Sequence, residues 1–215
     1  MKSNTVQLLN VDCMKYLKGC KANAFDLAIV DPPYGIGNFV QTTGNKRGKA
    51  VSWNENPPSL EYFNELKRVA KRRIIWGSNY YSWVDGKGGS IVWNKGMKRE
   101  SNLSVCEIAS YSETKRVVYV EIIWQNVNSG EKMIHPCQKP IKLYEWLLLN
   151  YAKAGERILD THTGSGSCAL ACYKLGFAFV GCEIDRKYYD RSLKRLQQYK
   201  ANTPLFDMYK LAAGE

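Results

Sequence analysis

Short apolar runs alternate along this chain with stretches in which apolar residues return every three or four positions. The runs predict strands near 5–9, 25–30, 73–76, 90–93, 105–111, 117–124, 157–160 and 177–182. The helical period is carried by "DCMKYLKG", "SLEYFNELKRVAK", "PIKLYEWLLLNYAK", "GSCALACYKLG" and "RKYYDRSLKRLQQYK". In the second of these Leu60, Phe63, Leu66, Val69 and Ala70 share a face, and in the last Tyr189, Leu193 and Leu196 do. Strands alternating with helices predict an α/β fold, a doubly wound sheet with crossover helices. Two polar stretches escape the pattern, 37–58 and 125–134. A connection as long as the first is more often functional than inert.

Composition narrows this picture only a little. The chain has 215 residues, 45% hydrophobic and 24% charged, which suits one globular domain with one core. Lys plus Arg number 31 against 20 Asp plus Glu, and the basic residues cluster at "NKRGK", "KRVAKRR", "KGMKRE" and "DRKYYDRSLKR". Such an excess suits a polyanionic partner, although a solvated basic surface would account for charge alone equally well. Seven cysteines, an odd number without a CxxC pair, read as reduced thiols of a cytosolic protein. The same spacing gives no zinc site, so no metal is expected. The chain shows neither a secretory h-region nor a run of 18 apolar residues, so no membrane partner is expected.

Two turns carry the candidate chemistry. "DPPYG" at 31–35 follows directly on the apolar run "FDLAIV". Its prolines cannot donate to a sheet ladder and stiffen the turn, so strand pairing is not its purpose. "RILDTHTGSGSCALA" reads as strand, glycine turn and helix, with Asp160 at the strand's end and Gly164 and Gly166 permitting close backbone approach. Glu183 follows at the end of the next strand, near the spacing at which an acid reaches ribose hydroxyls. The turn lacks both G-x-G-x-x-G and the Walker pattern, so it suits a nucleoside without phosphates. A glycine-rich connection beside an exposed Glu would look the same.

The order of the two turns is unusual. Read from 157 to the end and resumed at residue 1, the elements form one continuous doubly wound half-sheet, as though the chain were circularly permuted. In such a sheet Asp31 and the Gly164–Gly166 turn share one crevice, and Asp12 lies on the same edge.

Four segments in this order resemble the β-class amino-group DNA methyltransferases, which use S-adenosylmethionine. They are "DPPYG", "HPCQKP" at 135–140, "LDTHTGSGS" at 159–167 and "GCEID" at 181–185. His162 stands where that family usually has Phe, and the chain is short, like the small stand-alone members of phages and mobile elements. The resemblance implies catalysis by Asp31, Pro32, Pro33 and Tyr34. It implies a cofactor site of Asp12, Cys13, Asp31, His135, Lys139, Pro140, Asp160, His162, Gly164, Ser165, Gly166, Glu183 and Ile184. Lys139 and Pro140 would border the methionine end, and Glu183 would hold the ribose.

An exocyclic amino nitrogen is a weak nucleophile because its lone pair is delocalised into the ring. Acceptors on both N–H hydrogens, the Asp31 carboxylate and the Pro32 carbonyl, would free that lone pair, and Tyr34 would stack on the extruded base. Asp at position 31 favours adenine N6 over cytosine N4, since the cytosine enzymes of this class commonly carry Ser there. An RNA methyltransferase and a non-catalytic DNA-binding subunit of the same fold are the rivals. DNA contact is expected on Lys46, Arg47, Lys49, Lys95, Lys98, Arg99, Lys115 and Arg116, within 37–58 and 94–134 of a single domain spanning 1–215. A short recognition region is compatible with a homodimer. Trp76, Trp93 and Trp124 read as core.

Overall fold

The computed structural model describes residues 5–37, 39–43, 46–51, 54–83, 88–97, 104–124 and 133–202. In chain order the elements are β1 (Val6–Asn10), α1 (Cys13–Gly19), β2 (Phe25–Val30), β3 (Phe39–Thr43), β4 (Lys46–Val51), α2 (Leu60–Val69), β5 (Ala70–Trp76), β6 (Gly89–Asn94), β7 (Cys106–Tyr111), β8 (Val117–Glu121), α3 (Ile141–Tyr151), β9 (Arg157–Asp160), α4 (Ser167–Lys174), β10 (Ala178–Glu183) and α5 (Arg186–Asn202). Eight strands form one sheet in the order β1-β10-β9-β2-β5-β7-β6-β8. Only β7 runs against the others, pairing antiparallel with β5 and β6.

The sheet is covered on both faces, which is why its central strands carry consecutive apolar residues, Leu27–Val30 and Ile74–Trp76 among them, rather than alternating. Neighbouring residues diverge to the two sides. Leu27, Ile29, Ile74, Trp76, Ile158 and Phe179 pack with residues of α3, α4 and α5. Ala28, Val30, Ile75, Leu159 and Val180 pack with Leu17 of α1 and Tyr62, Phe63, Leu66 and Val69 of α2. Side-chain caps fix where the second pair of helices begins: Asp12 accepts from the Lys15 amide and Ser59 from the Tyr62 amide. Trp76 and Trp93 are fully buried, as the sequence suggests.

The strands from late in the sequence lie between the early ones. β2 pairs in parallel with β9, Leu27 opposite Ile158, and β1 with β10, Val6 opposite Phe179. The turns that leave β2 and β9 therefore open on the same rim.

Three expectations need correction. β5 begins at Ala70 rather than near 73, because the "KRR" segment is tolerated in a strand whose Arg72 caps the Tyr151 carbonyl and pairs with Glu156. The stretch 37–58 is not structureless: β3 and β4 pair as an antiparallel hairpin outside the main sheet. The strand expected over 117–124 ends at Glu121 as β8, while β7 covers the one expected near 105–111.

Candidate active site

The "DPPY" turn leaves β2 held from three directions. The Tyr34 amide donates to Asn54 Oδ1 at 2.7 Å, and the Gly37 amide to the Asn54 carbonyl at 3.2 Å, so the base of the β3–β4 hairpin stands on this turn. The Tyr81 hydroxyl donates to the Pro32 carbonyl at 2.8 Å and lies 3.1 Å from that of Pro33. The Tyr34 hydroxyl donates to Asp31 Oδ1 at 2.7 Å. The Pro32 carbonyl is thus already engaged, and a target amino group would use its second lone pair.

Tyr34 differs from the open stacking platform that the sequence suggests. Its ring stacks on Tyr80 with centroids 5.1 Å apart and planes 16° apart, and Tyr80 is 42% exposed. Gly77, at φ +70°, allows the close approach: a Cβ there would stand 2.3 Å from the Tyr34 ring.

"HPCQKP" joins the two turns. His135 lies over Gly164, where an added Cβ would be 3.5 Å from the ring, and Tyr188 backs it edge-on at 4.4 Å. Four residues on, the Lys139 ammonium reaches Asp31 Oδ2 at 2.5 Å and Glu107 Oε2 at 2.9 Å with only 4% of its side chain exposed. Pro140 caps α3. Burial acts against the charge on Lys139, but Asp31 and Glu107 outweigh it and raise the pKa above that of a free lysine. Glu107 in turn pairs with Lys95 at 2.7 Å. Burial pushes the Glu107 carboxyl up, yet Lys139 and Lys95 prevail and hold it down at about 2.

The glycine turn is built from its own backbone. Glu183 accepts from the Gly164 amide at 2.8 Å and the Asp185 amide at 2.9 Å, and burial raises its pKa. Asp160 accepts from the His162 amide at 3.0 Å and, fully buried, is pushed up to about 8. Gly166 begins α4 at φ +79°, and Arg195 donates to the Ser165 carbonyl at 2.8 Å. Ile184 is 69% exposed at the end of β10.

His162 bonds Thr161 Oγ1 through Nδ1 at 2.9 Å and lies 4.0 Å from Cys13 Sγ through Nε2. Thr161 is tied to the Tyr62 hydroxyl at 2.6 Å. Burial lowers His162 to about 4 from an ordinary 6.5, so the ring is neutral. A depressed histidine stabilises the fold fully above pH 6.5, and that contribution is lost as pH falls toward 4. His162→Phe is therefore expected to flatten the fall in thermal stability between pH 6.5 and 4, measured by calorimetry beside the parent.

The residues expected to grip DNA divide. Lys46, Arg47 and Lys49 lie on β4 of the hairpin above the turn. Lys98 and Arg99 lie outside the described residues. Lys95 is turned inward, 11% exposed, onto Glu107 and is not a surface cation. Lys115 and Arg116 are exposed between β7 and β8, but because β7 runs backwards that connection opens on the opposite rim. Sequence reasoning missed Glu107, Tyr80, Tyr81 and Asn54. An acid inside the apolar strand "CEIASY" is the one signal available, since a buried carboxylate demands a partner.

Known proteins share both sequence and fold with this chain. The chain is 25% identical over 245 residues to the Type II methyltransferase M2.DpnII of Streptococcus pneumoniae, covering 90% of each. It is 25% identical over 259 residues to the Type II methyltransferase M.HinfI of Haemophilus influenzae, covering 94% of this chain and 72% of that one. Among solved structures, the M1.HpyAVI–SAM complex superposes with a TM-score of 0.62 at 20% identity, over 89% of this chain and 99% of that one. The cytosine-N4-specific PvuII DNA methyltransferase does so with a TM-score of 0.63 at 14% identity, over 97% and 93%. The DNA methylase family model matches residues 78–194, more than half of the chain, and the protein belongs to that family.

Proposed function

We propose that this protein transfers a methyl group from S-adenosylmethionine to the exocyclic N6 of adenine in DNA. The convergence of two turns on one rim carries the reading: the Asp31 turn and the Gly164–Gly166 turn leave adjacent parallel strands and are bridged by His135 and Lys139. The residues present fit the cofactor. Glycines at positive φ admit a ligand close to the backbone, Glu183 offers a carboxylate to hydroxyls, and the neutral His135 and His162 bring no positive charge for a phosphate. Asp12 and Cys13 stand beside His162 at the base end, and Asp160, Ser165 and Ile184 complete the wall. Pro140 sets Lys139 at the other end.

When bound, S-adenosylmethionine supplies a methyl group already activated by a positively charged sulfur. Asp31 accepts a hydrogen of the target amino group, Pro32 and Pro33 hold that acceptor rigid, and the second hydrogen falls to the Pro32 carbonyl. Tyr34 offers its face to the base once Tyr80 moves aside. Asp at 31 favours adenine. The cytosine-N4 alternative keeps support from the fold it shares with the PvuII enzyme. Incubation with labelled cofactor and DNA, then digestion to nucleosides, decides between them: N6-methyladenine is expected, N4-methylcytosine would replace the reading, and no labelled base would end it.

The β3–β4 hairpin is the DNA-gripping element of a single methyltransferase domain, with Lys46, Arg47 and Lys49 against phosphates. Each neutralised phosphate contributes about −0.9 to the slope of log affinity against log salt. Replacing Lys46, Arg47 and Lys49 together by Ala is expected to flatten that slope by roughly 2–3 in duplex titrations. An unchanged slope would move the contact elsewhere. A short recognition element suits a homodimer, in which one copy helps the other hold DNA. Among the described residues no helix is long and apolar enough to cross a membrane. A cytoplasmic location is the one that suits a DNA-modifying role.

A further inference from the structure

Because β7 runs against its neighbours, its first residues reach the rim where Asp31 stands, and Glu107 faces the catalytic turn from the far side. Both donors on the Asp31 carboxylate are also within reach of Glu107. Lys139 Nζ lies 2.5 Å from Asp31 and 2.9 Å from Glu107. The Tyr34 hydroxyl lies 2.7 Å from Asp31 and 3.2 Å from Glu107. Lys95 closes the series from behind at 2.7 Å. Two carboxylates and two ammonium groups thus alternate, and none of these four side chains exceeds 19% exposure.

This arrangement answers a difficulty in the reaction. Each oxygen of Asp31 already accepts an internal hydrogen bond, and a cation at 2.5 Å makes the carboxylate a poorer acceptor for an amino hydrogen. The same cation would also raise the energy of a nitrogen that gains positive charge as it is methylated. A second carboxylate placed to take both donors relieves both effects, and no movement of the backbone is needed.

We propose that Glu107 is a positioning residue for methyl transfer, the alternative acceptor onto which Lys139 and Tyr34 shift when the target amino group engages Asp31, with Lys95 fixing Glu107 in place. The proposal rests on the methyltransferase reading of the site. It assigns work to two residues, Glu107 and Lys95, that the reaction as described above leaves unused.

Glu107→Gln keeps the shape and removes the charge. The expected result is a fall in kcat for DNA methylation of about tenfold or more, with the KM for DNA and the Kd for S-adenosylmethionine changed less than about threefold. Glu107→Asp should recover part of the loss. In 15N-lysine-labelled protein without ligands, the slowly exchanging ammonium signal of Lys139 should shift in Glu107→Gln, reporting the lost partner independently of turnover.

Should Glu107→Gln fail to fold, the double variant Lys95→Met/Glu107→Gln removes one buried charge of each sign and is expected to show the same loss of kcat. A kcat within about twofold of the parent in a folded single or double variant overturns the proposal. So does an unmoved Lys139 signal. A parent protein that methylates no DNA overturns the reading of the site itself, and this inference with it.

Discussion

Asp31→Ala is expected to lower methyl transfer to DNA by about 10³-fold or more while S-adenosylmethionine binds within a few-fold of the parent. The separation follows from geometry. Asp31 leaves β2, whereas the glycine turn is held by Glu183 and by its own strand and helix, with no hydrogen bond to Asp31. Removing the carboxylate deletes the acceptor for the amino hydrogen and strands the Lys139 ammonium, which still has Glu107. Asp31→Asn separates acceptor from charge: its amide oxygen can still accept, so activity between the parent and the alanine variant is expected. Single-turnover methylation and calorimetric cofactor titration give the two numbers. Near-parental transfer by Asp31→Ala would remove Asp31 from the chemistry.

The largest stability effect is expected at Lys139. Its ammonium bridges Asp31 and Glu107, and its side chain is 4% exposed. Lys139→Met leaves two carboxylates facing one another in a buried space, a change that costs about 3–5 kcal/mol when one partner of such a pair is lost. The pH dependence is specific. Glu107, held at about 2 against an ordinary 4.5, stabilises the fold fully above pH 4.5, and that contribution is lost as pH falls toward 2. In Lys139→Met that loss should be smaller and be complete at a higher pH, because only Lys95 then holds the carboxyl down, so parent and variant converge as pH falls. Urea titrations at pH 7, 5 and 3 would show it, and a variant as stable as the parent at pH 7 would contradict the ion-pair account.

What the sequence revealed follows from how local each signal is. β2 and β9 match the predicted bounds residue for residue, because a strand buried on both faces carries consecutive apolar residues that stand out from their surroundings. The two chemical turns were legible since proline pairs and paired glycines restrict the backbone by themselves. The hairpin was not: "FVQTT" and "KRGKAV" carry no apolar alternation, and the two strands pair with one another outside the main sheet. The basic clusters misled for a related reason. "KGMKRE" treats its lysines as equivalent, yet Lys95 follows a buried strand inward to Glu107, a partner that no spacing announces. Lys115 and Arg116 fell on the wrong rim because the direction of β7 is set by its neighbours, not by its composition.

The interleaving of β9 between β2 and β10 also governs how the molecule can be made. Until the segment around Ile158 has left the ribosome, one edge of the strand that carries the catalytic turn has no partner, with some 130 residues separating Leu27 from the residue it will face. Closing so wide a span before any reward is collected should slow refolding relative to helical proteins of this size. During that interval an apolar ribbon stays open to pairing with a second nascent chain, so dilution or a chaperone should raise the yield of active protein.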